Sequence, residues 1–365
     1  MILDQTIPTR AVISLSACQH NLSIAQQAAP DSKNFAIIKA NAYGHGMVEI
    51  AKSLTKADGF GVARIQESIT LREAGITQSI LLLEGFSSSE ELELIEQQQL
   101  DCVVHSEIQI NLLEQFNTHS KKINIVVKVD TGMHRLGFSP DELRNIVQRL
   151  EKCDCVQQSL TIMTHFACAD DKQDQTTLNQ IKVLDECLEA LNITNTSMAN
   201  SAGILGWPQS HASYNRPGIM LYGVSPFLNL TAKDHNLQPV MTLKSKLVSV
   251  KKVKQGEAIG YGATYRCEKD LTIGIVAIGY GDGYPRHAKT GTPVVVNGKR
   301  CALLGRVSMD MICVDLSAQE NAKVNDDVVL WGDEPPIEEI AEAADTIAYE
   351  LLCGVTSRVK FEYIN

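Results

Sequence analysis

Lys39 closes the apolar run FAIIKA (35–40) and is followed almost at once by Tyr43-Gly44-His45-Gly46. Burial favours the neutral form of an amine, and a neutral lysine is the nucleophile that condenses with carbonyl groups. A plainer reading leaves Lys39 solvated just past the rim of the fold. The Y-G-H-G turn beside it favours chemistry. Polar residues also follow other short apolar runs: Lys128 and Asp130, His165, Asn200 and Ser201, and Arg216 just before RPGI turns apolar. The hydroxyl of Ser201 (in ANSAG) and the backbone amides around Gly218 (in RPGI) suit a phosphate. Taken separately, each reads equally well as an ordinary turn residue. A carbonyl-reactive lysine together with a phosphate site implies pyridoxal 5′-phosphate, which carries an aldehyde and a phosphate.

The elements that must position these groups recur from Asn34 to Gly223. Short apolar runs at 35–40, 60–63, 80–83, 102–105, 123–129, 160–165, 196–199 and 219–222 alternate with segments of helical spacing. Two of the latter are SSSEELELIEQQQ and DELRNIVQRLEKC, with Ser87 or Ser88 and Asp141 where N-caps belong. Alternating strands and helices mean a parallel sheet. Eight units in about 190 residues suggest a (β/α)8 TIM-type barrel, with a doubly wound sheet as the alternative. In a barrel, chemistry gathers at the C-terminal ends of the strands, and phosphate sites form after strands seven and eight. Beyond Tyr222 the pattern becomes strand-like, with VMTLKSKLVSVKKV, LTIGIVAIGYGDGY, MICVDL and DVVLW. Asn297-Gly298 between apolar runs signals a hairpin, and PPIEEIAEAAD adds one helix with prolines at its start. The chain therefore divides into a barrel over 9–233 and a mostly-β domain over 234–365, with the boundary in 227–239.

The chain has 365 residues, of which 44% are hydrophobic and 21% charged, and a net charge of −10. That composition excludes wholesale disorder, and no basic run suggests nucleic acid. No stretch of about 18 apolar residues suggests a membrane span. The N-terminus lacks the basic start and apolar core of a secretory signal, so a cytoplasmic location is expected. Ten cysteines are scattered, and only Cys153 and Cys155 lie close together. Reduced, mostly buried thiols and no metal site are expected.

Eight motifs carry a resemblance: AIIKANAYGHG (36–46), KVDTGMHRLGF (128–138), THFACAD (164–170), ANSAG (199–203), RPGIMLYG (216–223), GYGATY (260–265), AIGYGDGYPR (277–286) and GRVSMDM (305–311). In this order they span nearly the full chain, and the sequence closely resembles the alanine racemases, fold-type III pyridoxal-phosphate enzymes. The resemblance implies an N-terminal (β/α)8 barrel and a C-terminal β domain, which residues 1–8 would join. It implies interconversion of L- and D-alanine by two bases, supplying D-alanine for peptidoglycan or catabolising alanine. Lys39 matches the lysine that binds the cofactor covalently, and Tyr261 the second base. Arg135 and the Met309 backbone N–H match contacts to the substrate carboxylate. Arg216 matches the partner of the pyridine nitrogen, and Tyr43, Ser201, Gly218 and Ile219 match phosphate contacts. His165 and Asn200 join the cofactor-binding set, and Lys128 matches a lysine often carbamylated. The family's head-to-tail homodimer shares its active sites between chains. The family's tyrosine near the C-terminus aligns here with Ser357, and its usual R-V-P-R ending reads Arg358-Val359-Lys360-Phe361. Alternatives are a broader-specificity amino-acid racemase and a fold-type III decarboxylase. Such decarboxylases typically set a glutamate where Arg216 stands. A single-barrel pyridoxal-phosphate carrier would lack the second domain.

Overall fold

The computed structural model describes residues 8–118 and 121–365. Its first strand, β1 (Arg10–Ser14), leads into the helix Leu15–Ala28, capped by the Ser14 hydroxyl, which accepts from Ala17 N at 3.2 Å. Strands and helices then alternate. The strands are β2 (Lys33–Ile37), β3 (Gly59–Val62), β4 (Ser79–Leu82), β5 (Asp101–Val104), β6 (Ile125–Lys128), β7 (Thr161–Met163), β8 (Thr196–Ser197) and β9 (Tyr214–Asn215). Each strand from β2 to β7 pairs in parallel with the next, and β9 pairs in parallel with β2. This is a nearly closed (β/α)8 barrel. No ladder joins β8 to β9. Their seam is held by the Ser197 hydroxyl donating to Tyr214 O at 2.7 Å, by Thr196 N donating to Ser213 Oγ at 3.3 Å, and by Arg216 N donating to Ala199 O at 2.9 Å. Phe35, Leu81, Val103 and Met163, with Val126 and Tyr214 against them, fill the barrel's middle.

The second domain is built on β10 (Met241–Val253). Its other strands are β11 (Ala258–Ile259), β12 (Tyr265–Arg266), β13 (Leu271–Val276), β14 (Pro293–Val296), β15 (Lys299–Ala302), β16 (Ile312–Asp315), β17 (Asp327–Trp331) and β18 (Lys360–Ile364). The sheet runs β15-β14-β17-β10-β1-β18, with β13 and β16 continuing from β10. Asn297 and Gly298, both with positive φ (48° and 77°), turn β14 into β15 as a two-residue hairpin. The helices Ile337–Ala343 and Ala348–Gly354 follow β17. Residues 1–7 lie outside the described residues. The strand just after them, β1, belongs to this second sheet, antiparallel to β10 and parallel to β18.

Two local expectations differ from the structure. The eighth barrel strand is Tyr214–Asn215, whereas Ile219–Tyr222 is a buried 3-10 turn between Gly218 and Gly223. Its apolar side chains pack inward, and the Tyr222 hydroxyl donates to Ile37 O at 2.8 Å. Asp141 caps nothing. Glu142 precedes the helix Leu143–Leu150 and accepts from the N–H and hydroxyl of Ser139 at 2.8 and 2.7 Å. Ser88 does cap its helix, accepting from Glu91 N at 3.3 Å. At the C-terminus Lys360 opens β18 and donates its N–H to Thr9 O at 3.1 Å, a bond a proline could not make.

Candidate active site

Lys39 is not the last residue of β2 but the first of a tight left-handed turn. Ala40, Asn41, Ala42 and Tyr43 have φ of 52°, 55°, 54° and 50°, and Gly44 follows at 82°. That region disfavours L-residues by roughly 1–2 kcal/mol each, so the turn needs support from outside. Glu67 provides it: Oε1 accepts from Ala40 N at 2.7 Å, and Oε2 from Ala63 N at 2.8 Å and Arg64 N at 3.1 Å. Asn41 Oδ1 accepts from Met47 N at 2.9 Å. Buried His45 sets Nδ1 3.0 Å from the carbonyls of Ala42 and Tyr43, so Nδ1 carries the proton, and its ring stacks on Tyr222 at 4.6 Å. Tyr43 stacks on the same ring at 4.8 Å.

The turn brings Lys39 and Tyr43 into one cavity of about 400 Å³ with Arg135, His165, Asn200, Ser201, Arg216, Gly218 and Ile219. Lys128, 6% exposed, ends β6 and is buried close by. Burial lowers the pKa of Lys39, and Arg135 lowers it further against the opposing pull of Glu84 and Glu67. Lys128 is pushed down to about 8, first by burial, then by Arg216, Arg135 and Lys39. His165 is held well below its ordinary value by burial and then by Arg216. Such a concentration of cations suits a ligand bearing phosphate and carboxylate. No hydrogen bond joins Lys128 to Arg135 among the described residues.

Arg216 is buried at 4% exposure. Nη1 donates to the Ser197 hydroxyl, and Nη2 to Thr164 O at 2.6 Å and Met198 O at 3.1 Å, with His165 Nδ1 at 3.5 Å. Burial lowers its pKa to about 10, which leaves it charged at neutral pH. Its Nε has no partner among the described residues. Asn200 caps the helix Ser201–Gly206 through Oδ1, which accepts from Gly203 N at 2.9 Å. The Ser201 hydroxyl accepts from Gly218 N at 2.9 Å and Met220 N at 3.2 Å. A Cβ on Gly218 would stand 3.0 Å from the Tyr43 hydroxyl and 3.8 Å from that of Ser201. Glycine thus keeps open a cradle of two hydroxyls and backbone amide. With the Lys39 amine in the same cavity, these residues fit a phosphate-bearing aldehyde.

Tyr261 and Met309 are not brought to this cavity. They are 69% and 52% exposed on the second domain, as are Tyr280 (41%) and Met311 (49%). The loops bearing the last three are tied together, Gly281 N donating to Met309 O at 2.8 Å and Ser308 N to Met311 O at 3.0 Å. Ser357 is exposed and lies outside the cavity, contrary to the alignment that put a phosphate-side position there. Tyr349 stands in the wall instead, 5.8 Å from the Tyr43 ring, and Cys353 lines the same wall. Both come from the helix Ala348–Gly354. The only signal for them is its amphipathic spacing, AYELLCG, in a stretch assigned to the second domain.

Fold and site define a two-domain barrel enzyme that sets a lysine of lowered pKa beside an anion cradle. The alanine racemase N-terminal domain model matches residues 13–226, and the alanine racemase C-terminal domain model matches 240–363. The chain belongs to the alanine racemase family, and its activity is the isomerisation of alanine. It is 48% identical over 353 residues to the alanine racemase of Vibrio cholerae, covering 97% of each chain. It is 49% identical over 350 residues to that of Shewanella piezotolerans, covering 96% of this chain and 97% of the other. The crystal structure of the biosynthetic alanine racemase from Pseudomonas aeruginosa superimposes with a TM-score of 0.95 at 43% identity, covering 98% of this chain and 99% of that one.

Proposed function

We propose that the cavity holds pyridoxal 5′-phosphate and that two bases on opposite faces interconvert L- and D-alanine there. The observation carrying this reading is the convergence, in one cavity, of the Lys39 amine, the unpartnered Nε of Arg216 and the Ser201–Gly218–Tyr43 cradle. The bound cofactor supplies a carbonyl that captures an amine and a ring that accepts the electron pair left when a Cα proton departs. Lys39 holds it covalently, while Ser201, Gly218, Ile219 and Tyr43 hold its phosphate, flanked by Asn200. Arg216 donates to the ring nitrogen. A guanidinium does not surrender its proton, so that nitrogen stays unprotonated. Arg135 and the Met309 N–H hold the substrate carboxylate in place.

Once the substrate amine has taken its place on the cofactor, the freed Nζ of Lys39 would remove or return the Cα proton on one face, and the Tyr261 hydroxyl would work on the other. Phenols titrate near 10, so a phenol base needs cationic or hydrogen-bonding neighbours, and Arg216 as the cation with neutral His165 as a hydrogen-bonding link would form that chain leading away from Tyr261. Since Tyr261 and Met309 are exposed outside the Lys39 cavity of their own chain, the complete site forms in a homodimer, the barrel (9–233) facing the partner's second domain (234–365). Lys128, as a carbamate, orients Arg135. Ten free thiols favour a reducing, cytoplasmic location. The test is direct. Borohydride should fix the cofactor on the peptide containing Lys39, and Lys39→Ala should lose racemisation of alanine, followed by circular dichroism, in both directions. Label on another lysine would overturn the assignment.

A further inference from the structure

The barrel holds a second chamber of about 320 Å³ at the end opposite Lys39, among the N-terminal ends of the strands and open to solvent where Lys33 and Asp58 are exposed. That volume falls at the lower bound of small-molecule sites, about 300–1,000 Å³. Phe35, Leu81 and Tyr214 of the apolar plug form its inner wall. Ser197 in its wall is 4% exposed, and its hydroxyl donates to Tyr214 O at 2.7 Å and accepts from Arg216 Nη1. Arg216 lines this chamber and the upper cavity alike, so one guanidinium forms the partition between them.

The outer part of the chamber is charged. The Lys33 ammonium lies 5.8 Å from the centroid of the Tyr214 ring and has no ion-pair partner among the described residues. Asp58 accepts from Asn34 N at 2.8 Å through Oδ2, leaving Oδ1 without a partner. Asp101 accepts from Asn124 Nδ2 at 2.8 Å, and burial holds its carboxyl above the ordinary range. Counting Arg216, two cations and two carboxylates line the chamber, which gives no net charge but both signs within one small volume. A phosphate would face both carboxylates, and a metal ion both cations. A molecule carrying one charge of each sign finds a partner for each.

We propose that this chamber binds a small zwitterion of the amino-acid class, its carboxylate at Lys33 and its ammonium between Asp58 and Asp101. Thr161 offers a hydroxyl along its length, while the Ser79 hydroxyl is turned to the Asp101 carboxyl. Alanine itself is such a zwitterion, so the site gives substrate and product a second point of contact. Ser197 links that point to Arg216. Binding does not depend on the catalytic roles assigned above, and racemisation is measured separately.

The probe is L-proline, a zwitterion without a primary amine, titrated into the holoenzyme and followed by ligand-observed NMR. Wild-type protein should bind it saturably, one per chain. Lys33→Met and Asp58→Asn should each weaken binding about tenfold, the scale of one charge-assisted contact, with cofactor absorbance and basal racemisation kept. Thr161→Met, which fills the chamber while keeping every charge, should abolish binding. Arg135→Ala, at the upper mouth, should leave it unchanged. Absence of saturable binding to wild type overturns the proposal. So does an affinity indifferent to all three lower variants, or one lost in Arg135→Ala.

Discussion

Bicarbonate supplied to the holoenzyme should convert Lys128 into a carbamate. Only a neutral amine adds to carbon dioxide: the Nζ–carbon bond forms, Nζ loses a proton, and a carbamate anion remains. The pKa of Lys128 falls from 10.5 to about 8. Near neutral pH that raises the neutral fraction roughly 300-fold, ten to the power of 10.5 − 8. The same lowering corresponds to about 3 kcal/mol held against the charged amine by burial and by Arg216, Arg135 and Lys39, at about 1.4 kcal/mol per pH unit. Carbamylation removes that opposition and puts an anion where three cations converge, giving Arg135 an acceptor it otherwise lacks. With 13C-labelled bicarbonate, carbon NMR should show one carbamate per chain, growing as pH rises through 8. The KM for alanine should fall in parallel, with kcat changing less. Lys128→Arg should show neither effect. A wild-type enzyme without the resonance above pH 8, or a Lys128→Arg variant that retains it, refutes the reasoning.

Co-refolding two inactive proteins, Lys39→Ala and Tyr261→Phe, should restore up to about half the wild-type activity per heterodimer, because one of its two sites receives both bases. Heterodimers verified by mass and still inactive would sink the shared-site arrangement. His45 is buried neutral, its pKa lowered from 6.5 to about 4. Its contribution to stability is therefore present above pH 6.5 and lost as pH falls through 4, about 3 kcal/mol in all. Thermal unfolding across that range should show a steeper acid slope for wild type than for His45→Gln. Lys360→Pro removes the bond to Thr9 O and should cost about 1 kcal/mol in denaturant unfolding. Gly218→Ala should release cofactor faster on dialysis, since its Cβ would crowd the Tyr43 hydroxyl at 3.0 Å.

The barrel was legible because six of its eight strands, β2 to β7, lie in apolar runs between helix-patterned segments, and burial on both sides of a parallel strand leaves that trace. The eighth was misplaced because Tyr214–Asn215 is short and polar, while the apolar residues beside it serve a 3-10 turn. Lys39 was found, but its setting was not. Ala-Asn-Ala-Tyr contains no glycine, so nothing local announces four left-handed residues. They are imposed by Glu67, Asn41 and His45, contacts that exist only after folding. Tyr349 escaped for a related reason: its helix belongs to the second domain in sequence but closes the barrel's mouth in space. Tyr261 and Met309 were named by family resemblance alone. Their exposure in the single chain agrees with a role beside another copy, and their own spacing carries no such message.

The seam between β8 and β9 places a soft line beside the phosphate cradle. Two-residue strands joined by two hydroxyls, one backbone bond and the Arg216 guanidinium open locally at lower cost than a full ladder. Ser201 follows one lip of that line, while Arg216 and Gly218 follow the other. A ligand gripped by all three acts as a hoop around a barrel missing one stave joint. Loading would slow amide exchange first along that line, and raise the stability of the whole barrel in proportion to how tightly the ligand is held. Losing the ligand and loosening the barrel would then be one event.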